Sequence, residues 1–144
     1  MHPFLVPSLE PLIFYALWAI ALVLAIGATR VFQIMSGRAA ANSFTPGVPH
    51  GSDAYWRLNR AHVNTAENLP IFATIVLAGY VVGQGTATFT NLAIIVFIAR
   101  VVQSIIHVLS GSTRAVTLRF LAFGVQLICE IWMAVLVLHQ GGLF

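Results

Sequence analysis

The chain has 144 residues, of which 59% are hydrophobic and only 8% are charged. A soluble domain carries about 25% charged residues, so this chain has too little charge to cover a water-exposed surface, and lipid must cover most of it. All seven of its Lys and Arg residues are arginine, and they form no basic stripe on a polar surface, which argues against nucleic-acid binding. The single cysteine, Cys129, excludes an internal disulfide and a multi-cysteine metal site.

Four apolar segments predict four transmembrane helices, because a helix needs about 20 mostly apolar residues to cross a bilayer. No Lys or Arg precedes the first segment, which we therefore interpret as a retained span rather than a cleavable signal peptide. The second is apolar only over residues 69–83, and the polar stretch from about Tyr55 extends it to full length. The predicted spans are about residues 10–35, 55–83, 88–109 and 115–139, in one domain over residues 1–144. The predicted fold is an all-α, up-and-down four-helix membrane bundle.

The arginines are concentrated at the first and third connections between the predicted spans. The first connection, residues 37–52, contains Arg38 and lies between Arg30 and Arg57, and the third is followed by Arg114 and Arg119. The second connection and both termini carry no Lys or Arg. By the positive-inside rule, the first and third connections face the cytoplasm and both termini lie on the opposite side. We expect an integral protein of a bacterial inner membrane, in contact with membrane lipids.

The start of the second span, RLNRAHVNTAENLPIF over residues 57–72, carries polar residues on one face. At 100° per residue, Arg57, Arg60, Asn64 and Glu67 fall within an arc of roughly 80°. His62 points away from this face. Two cations, an amide and a carboxylate therefore line one side of a helix that enters the membrane.

The third span repeats this arrangement with Arg100, Gln103, Ser104 and His107 on one face. Charge that faces lipid costs several kcal/mol per residue, so both polar faces should turn toward a shared cavity or a subunit interface. Arginines far outnumber acidic residues near the cytoplasmic side, which favours an anionic ligand. Alternatively, the arginines extend to lipid phosphates and fix the topology, which is the interpretation we favour for Arg38 and Arg114.

The same stretch closely resembles the second-helix signature of the MAPEG superfamily, the membrane-associated proteins of eicosanoid and glutathione metabolism. The arginine, the AH dipeptide, the asparagine, the glutamate and the proline recur at the same spacing. Four spans, a long first loop, an arginine in span three and an arginine early in span four extend the resemblance over nearly the whole chain. It implies a homotrimer with glutathione sites between subunits near the cytoplasmic face, as in microsomal glutathione transferases and prostaglandin E synthase.

The resemblance also implies roles for individual residues. Arg60 and Asn64 suit the carboxylate and peptide groups of glutathione, Glu67 suits its ammonium group, and Arg30 would contribute from a neighbouring subunit. Arg119 corresponds to the span-four arginine beside the thiol, where a cation favours the thiolate. The predicted glutathione-binding set is Arg30, Arg57, Arg60, Asn64, Glu67, Arg100 and Gln103, and the predicted catalytic residues are Arg119 and His107.

Some positions depart from the family pattern or leave alternatives open. Gln103 and His107 occupy positions where family enzymes often have a tyrosine, and Phe120 replaces a serine that some members use near the thiol. His107 is either a hydrogen-bond donor or acid–base group, or a polar residue of the cavity wall. A metal site formed by His62 and His107 is not expected, because further ligands are missing. Glu130, an isolated acid in span four, pairs with Arg100, pairs with a neighbouring subunit, or marks a proton path.

These features predict a glutathione-dependent membrane transferase or peroxidase that acts on hydrophobic electrophiles. Its partners would be two further copies of the chain, membrane lipids and a hydrophobic small-molecule substrate, with glutathione as co-substrate and no metal. Arg119 favours catalysis, whereas the missing serine and tyrosine favour the alternative. That alternative is a non-catalytic lipid-binding or scaffolding trimer of the same fold.

Overall fold

The computed structural model describes residues 8–45, 47–48 and 51–143, and these form four α-helices without a strand. The helices are α1 (Glu10–Met35), α2 (Asp53–Val81), α3 (Ala87–Leu109) and α4 (Thr113–Gln140). By length and apolar composition α1, α3 and α4 can each cross a membrane. The polar first half of α2 keeps this 29-residue helix out of that group. The predicted all-α membrane fold is confirmed, and a membrane crossing by α2 stays a prediction.

Three helices begin at a residue whose side chain accepts a hydrogen bond from a backbone N–H three positions on, which satisfies one of the free donors of the first turn. These capping residues are Ser52 for α2, Thr86 for α3 and Ser112 for α4. Helix α2 ends next to Gly83, whose φ of 73° lies in the left-handed region that glycine adopts without strain. This ending makes the connection to α3 short.

The helices run up and down, as the contacts between them show. The Tyr15 hydroxyl of α1 donates to the Thr65 carbonyl of α2 over 3.3 Å. Nearer the other end of both helices, Arg30 Nε donates to the Tyr55 hydroxyl over 2.6 Å. Because the earlier residue of α1 meets the later residue of α2, the two helices are antiparallel. Helix α2 also packs on α3 and α4, and α3 packs on α1 and α4.

The apolar core lies toward the second connection, away from the arginines of the first and third connections. Its fully buried members include Phe72, Val76, Phe89 and Met133. Close packing there depends on Gly79, where an added Cβ would lie 2.6 Å from the ring of Phe89. Many large apolar side chains remain exposed along all four helices, in agreement with a surface covered by lipid or by neighbouring subunits.

The two polar faces differ in how far the chain buries them. On α3, Arg100, Gln103 and Ser104 are at most 8% exposed, so this face turns into the bundle as predicted. On α2, Asn64 is half-buried, whereas Arg60 and Glu67 are exposed on the surface of the single chain. The polar face of α2 is therefore sheltered only in part by the chain itself.

Candidate functional site

A cavity of about 280 Å³ opens between α2, α3 and α4, and five of its seven lining residues are polar. Helix α2 contributes four side chains to it, α3 two and α4 one. The lining residues are Asn64, Glu67, Asn68, Ile71, Arg100, Gln103 and Phe123. This volume is at the lower limit of pockets for small molecules, which span about 300–1,000 Å³.

Arg100 is the least satisfied polar residue of this cavity. Its side chain is 1% exposed, and its Nη1 donates to Gln103 Oε1 over 2.7 Å. The guanidinium also lies 5.8 Å from the ring centre of Tyr15 and 6.0 Å from that of Phe123, at the distance of cation–π contacts. Its Nε and Nη2 atoms are buried without a hydrogen-bond partner in the described chain. The Tyr15 hydroxyl and the Glu130 carboxyl are close enough to interact electrostatically with the guanidinium. The two free donors can still bond an anionic ligand at this point.

Gln103 connects Arg100 to α4. Its Oε1 accepts from Gln126 Nε2 over 3.2 Å in addition to the bond from Arg100. Its Nε2 donates to the backbone carbonyl of Arg119 over 3.2 Å. The Gln103 amide therefore orients the Arg100 guanidinium in the cavity. The same amide bonds the turn of α4 that carries Arg119.

The α2 wall is built around Glu67 and Asn68. The Glu67 carboxylate lies at the exposed edge of the cavity. Asn68 is 5% exposed, and its Nδ2 donates to Glu130 Oε1 over 2.6 Å. Of the alternatives for Glu130, the structure shows contacts within the chain: a hydrogen bond from an amide of α2 and an electrostatic interaction with Arg100. The second oxygen, Oε2, is buried without a hydrogen-bond partner in the part of the chain that the structure describes.

His107 lies near the mouth of the cavity, toward the arginine-rich end of the bundle. Its Nδ1 is 3.4 Å from Asn64 Nδ2, a hydrogen bond whose donor depends on the histidine tautomer. Arg57, Arg60 and Arg119 are all close enough to interact electrostatically with its ring. The end of the site beyond Asn64 is therefore strongly positive.

The family model of the MAPEG family matches residues 8–139, which is nearly the whole chain. The chain belongs to the MAPEG family. A comparison with curated proteins matched no individual sequence.

The MAPEG chain brings part of its predicted glutathione-binding set into the cavity and leaves the rest outside. Asn64, Glu67, Arg100 and Gln103 line it. Arg30 instead bonds to the Tyr55 hydroxyl and lies 5.2 Å from the ring centre of Phe44.

The other two arginines of the set do not line the cavity either. Arg57 Nε donates to the Val108 carbonyl over 3.1 Å, where it satisfies a free carbonyl at the end of α3. Arg60 is exposed. In a single chain Arg57 and Arg60 therefore lie near His107, toward the arginine-rich end of the bundle, rather than in the cavity.

Three polar contributors of this MAPEG site fall outside the predicted set. Asn68 lies four residues after Asn64 and only about 20° outside the arc of the predicted polar face, so its spacing was a usable signal. Tyr15 and Gln126 lie in largely apolar spans, and nothing in the local pattern indicates which residues of other helices they meet.

Proposed function

We propose that this MAPEG protein binds glutathione in the cavity between α2, α3 and α4 and joins the glutathione sulfur to hydrophobic electrophiles. The observation that carries the proposal is the buried guanidinium of Arg100, whose Nε and Nη2 are free beside a cavity that also holds the Glu67 carboxylate. A ligand with both a carboxylate and an ammonium group can pair with Arg100 through the first and with Glu67 through the second. The family's association with glutathione supports the same choice.

Glutathione offers two carboxylates, one ammonium group, two peptide groups and a thiol. A guanidinium with adjacent free N–H groups suits a carboxylate, because the planar fork can donate two parallel hydrogen bonds. In the proposed complex, Arg100 holds one carboxylate and Glu67 holds the ammonium group. Asn64 is placed to bond a peptide group, and Arg60 at the mouth is available to the second carboxylate.

Arg119 and His107 would interact with the thiol group of glutathione. A cation near sulfur favours the thiolate, which is the nucleophile in conjugation. The thiolate attacks the electrophilic carbon, a C–S bond forms, and the leaving group departs with its electron pair. Arg119 stabilises the negative charge, and its backbone is fixed by Gln103. The exposed apolar side chains of the helices give a hydrophobic substrate a route to the site from the bilayer.

A neighbouring subunit would complete the site. Arg60 and Glu67 are exposed in the single chain although they belong to the polar face of α2, so they need shelter from lipid. We propose a homotrimer in which a neighbour covers this face and contributes its Arg30. Native mass spectrometry from mild detergent should show a trimer, and a monomer would contradict the assembly.

The proposed orientation places both termini outside the cytoplasm. It can be measured by labelling Ser43→Cys, in the first connection, with an impermeant thiol reagent in a Cys129→Ala background. Labelling should require permeabilised cells, and labelling of intact cells from the outside would reverse the orientation.

Glutathione binding to the purified protein, followed by conjugation of a model electrophile, tests the function. Arg60→Ala removes a charge-assisted hydrogen bond of about 1.5–3 kcal/mol, so calorimetry should show affinity reduced roughly tenfold or more. Arg114→Ala, an exposed arginine at the start of α4, is the matched control and should bind as wild type does. Absence of binding by wild type would contradict the proposal. Binding without conjugation would favour the non-catalytic lipid-binding or scaffolding trimer.

A further inference from the structure

The buried contact between Glu130 and Asn68 determines which end of an amide faces the cavity. Both side chains are at most 5% exposed, and Asn68 Nδ2 donates to Glu130 Oε1 over 2.6 Å. A carboxyl oxygen of Glu130 that has no proton can only accept. With Glu130 ionised, or with its proton on Oε2, Oε1 therefore selects the NH₂ end of the Asn68 side chain, as the structure has it.

Tyr15 reinforces this orientation. Its hydroxyl lies next to the Asn68 amide and donates its own hydrogen to the Thr65 carbonyl over 3.3 Å. The hydroxyl oxygen can then only accept from the Asn68 amide, which favours the NH₂ end on this side as well. With the NH₂ group turned toward Glu130 and Tyr15, the carbonyl oxygen Oδ1 is the end that remains for the cavity, which Asn68 lines.

The cavity consequently has walls of opposite character. Glu67 and Asn68 Oδ1 provide neighbouring acceptors on α2, whereas Arg100 provides free donors on α3. An ammonium group has three hydrogens and is best held by more than one acceptor. The free amino-acid end of a γ-glutamyl peptide carries an ammonium and a carboxylate on one carbon, which matches the two walls.

We propose that Glu130 is a positioning residue that acts through Asn68 to make the cavity selective for a ligand with a primary ammonium group. The inference rests on the proposed function, since it takes glutathione as the ligand. It adds that selectivity for the amino group depends on a buried side chain of α4 outside the cavity lining.

The test compares glutathione with its deamino analogue, glutaryl-cysteinylglycine, by calorimetry on the purified full-length protein. Both ligands carry two carboxylates, so the ratio of their dissociation constants cancels effects on anion binding. Wild type should prefer glutathione by roughly tenfold or more, the worth of a charged hydrogen bond. Glu130→Met, similar in size but without an acceptor oxygen, should reduce this preference severalfold by weakening glutathione alone, and Glu67 should retain the rest. Glu130→Gln keeps an acceptor oxygen and should retain the preference within about threefold.

The Asn68→Ala background shows whether Glu130 acts through the amide, because coupled residues are not additive. Asn68→Ala should reduce the preference by about the same factor as Glu130→Met, and adding Glu130→Met should change it no further. If Glu130→Met does not fold, an unchanged preference in Asn68→Ala would still overturn the inference.

Other outcomes overturn the inference as well. Equal weakening of both ligands in Glu130→Met would indicate a structural role, and a Gln variant as poor as the Met variant would indicate an effect of charge. If wild type binds glutathione and only these patterns fail, the inference alone is wrong. If wild type binds neither ligand, the proposed function and the inference are both contradicted.

Discussion

Arg100→Met separates a ligand-binding arginine from a structural one. The substitution replaces the guanidinium with an apolar side chain that fills much of the same space between Tyr15 and Phe123. It removes the 2.7 Å bond to Gln103 and the two buried donors that have no partner in the described chain. Gln103 keeps its bonds to α4, so the amide is not left without partners.

The opposing contributions to the stability of the unliganded protein are of similar size. Loss of the charged hydrogen bond to Gln103 costs about 1.5–3 kcal/mol, and loss of the cation–π contacts to Tyr15 and Phe123 costs about 0.5–2 kcal/mol. Each unpaired buried donor that is removed relieves about 1–3 kcal/mol. Apolar replacement of buried ions is often neutral or stabilising. We therefore expect unliganded Arg100→Met to be as stable as wild type or more stable by up to about 2 kcal/mol.

The effect of the ligand should change in the opposite direction. Glutathione at one hundred times its dissociation constant stabilises wild type by about 2.7 kcal/mol. This corresponds to roughly 5–10 °C in Tm for a chain of this size. Loss of the carboxylate contact weakens binding by about 1.5–3 kcal/mol, so the same concentration should raise the Tm of the variant by about half as much or less.

Thermal unfolding followed by tryptophan fluorescence in detergent, at one protein concentration, measures both effects. The expected result is an unliganded Tm equal to or above that of wild type, together with a reduced shift on adding glutathione. A Tm lowered by several degrees with the full glutathione shift retained would mean that Arg100 is structural. That result would refute the reasoning from its free donors.

Three further predictions concern the ends of the ligand, the thiol and the core. Glu67→Gln removes the charge that pairs with the ammonium group and should weaken glutathione binding roughly tenfold in calorimetry. Unchanged affinity in an intact trimer would mean that Glu67 does not contact the ligand. Arg119→Leu should leave glutathione affinity within a few-fold but raise the pKa of the bound thiol, each unit being about 1.4 kcal/mol. The thiolate absorbance of the complex at neutral pH and the rate of conjugation should therefore fall. A small effect of His107→Phe in the same assays would mean that the histidine only lines the cavity. Gly79→Ala should destabilise the protein by about 1–3 kcal/mol, because its Cβ would lie 2.6 Å from a buried ring, while Gly124→Ala, with nothing within 4 Å, should not.

The helices and the polar face of α3 could be predicted because each depends on a pattern within one segment. Apolar runs of bilayer length indicate the helices α1, α3 and α4, and the helices begin and end within two residues of the predicted limits. The helical period places Arg100, Gln103 and Ser104 on one face, and the cost of charge in lipid turns that face inward. The structure buries all three.

The contacts that define the cavity could not be predicted, since they depend on how each helix is rotated against its neighbours. Nothing in the first span indicates that Tyr15 meets Arg100, and no spacing within α2 or α4 pairs Asn68 with Glu130. The sequence also groups Arg57 with the ligand-binding residues, although its Nε bonds the end of α3. Residues on one helical face can therefore have different partners.

The central claim is that the free donors of Arg100 hold a carboxylate of glutathione. A structure of the trimer determined with glutathione tests it most directly. We predict carboxylate oxygens within about 3 Å of both Nε and Nη2, the range of charge-assisted hydrogen bonds. Glutathione bound elsewhere, or Nε and Nη2 occupied by water while glutathione is present, would contradict the claim.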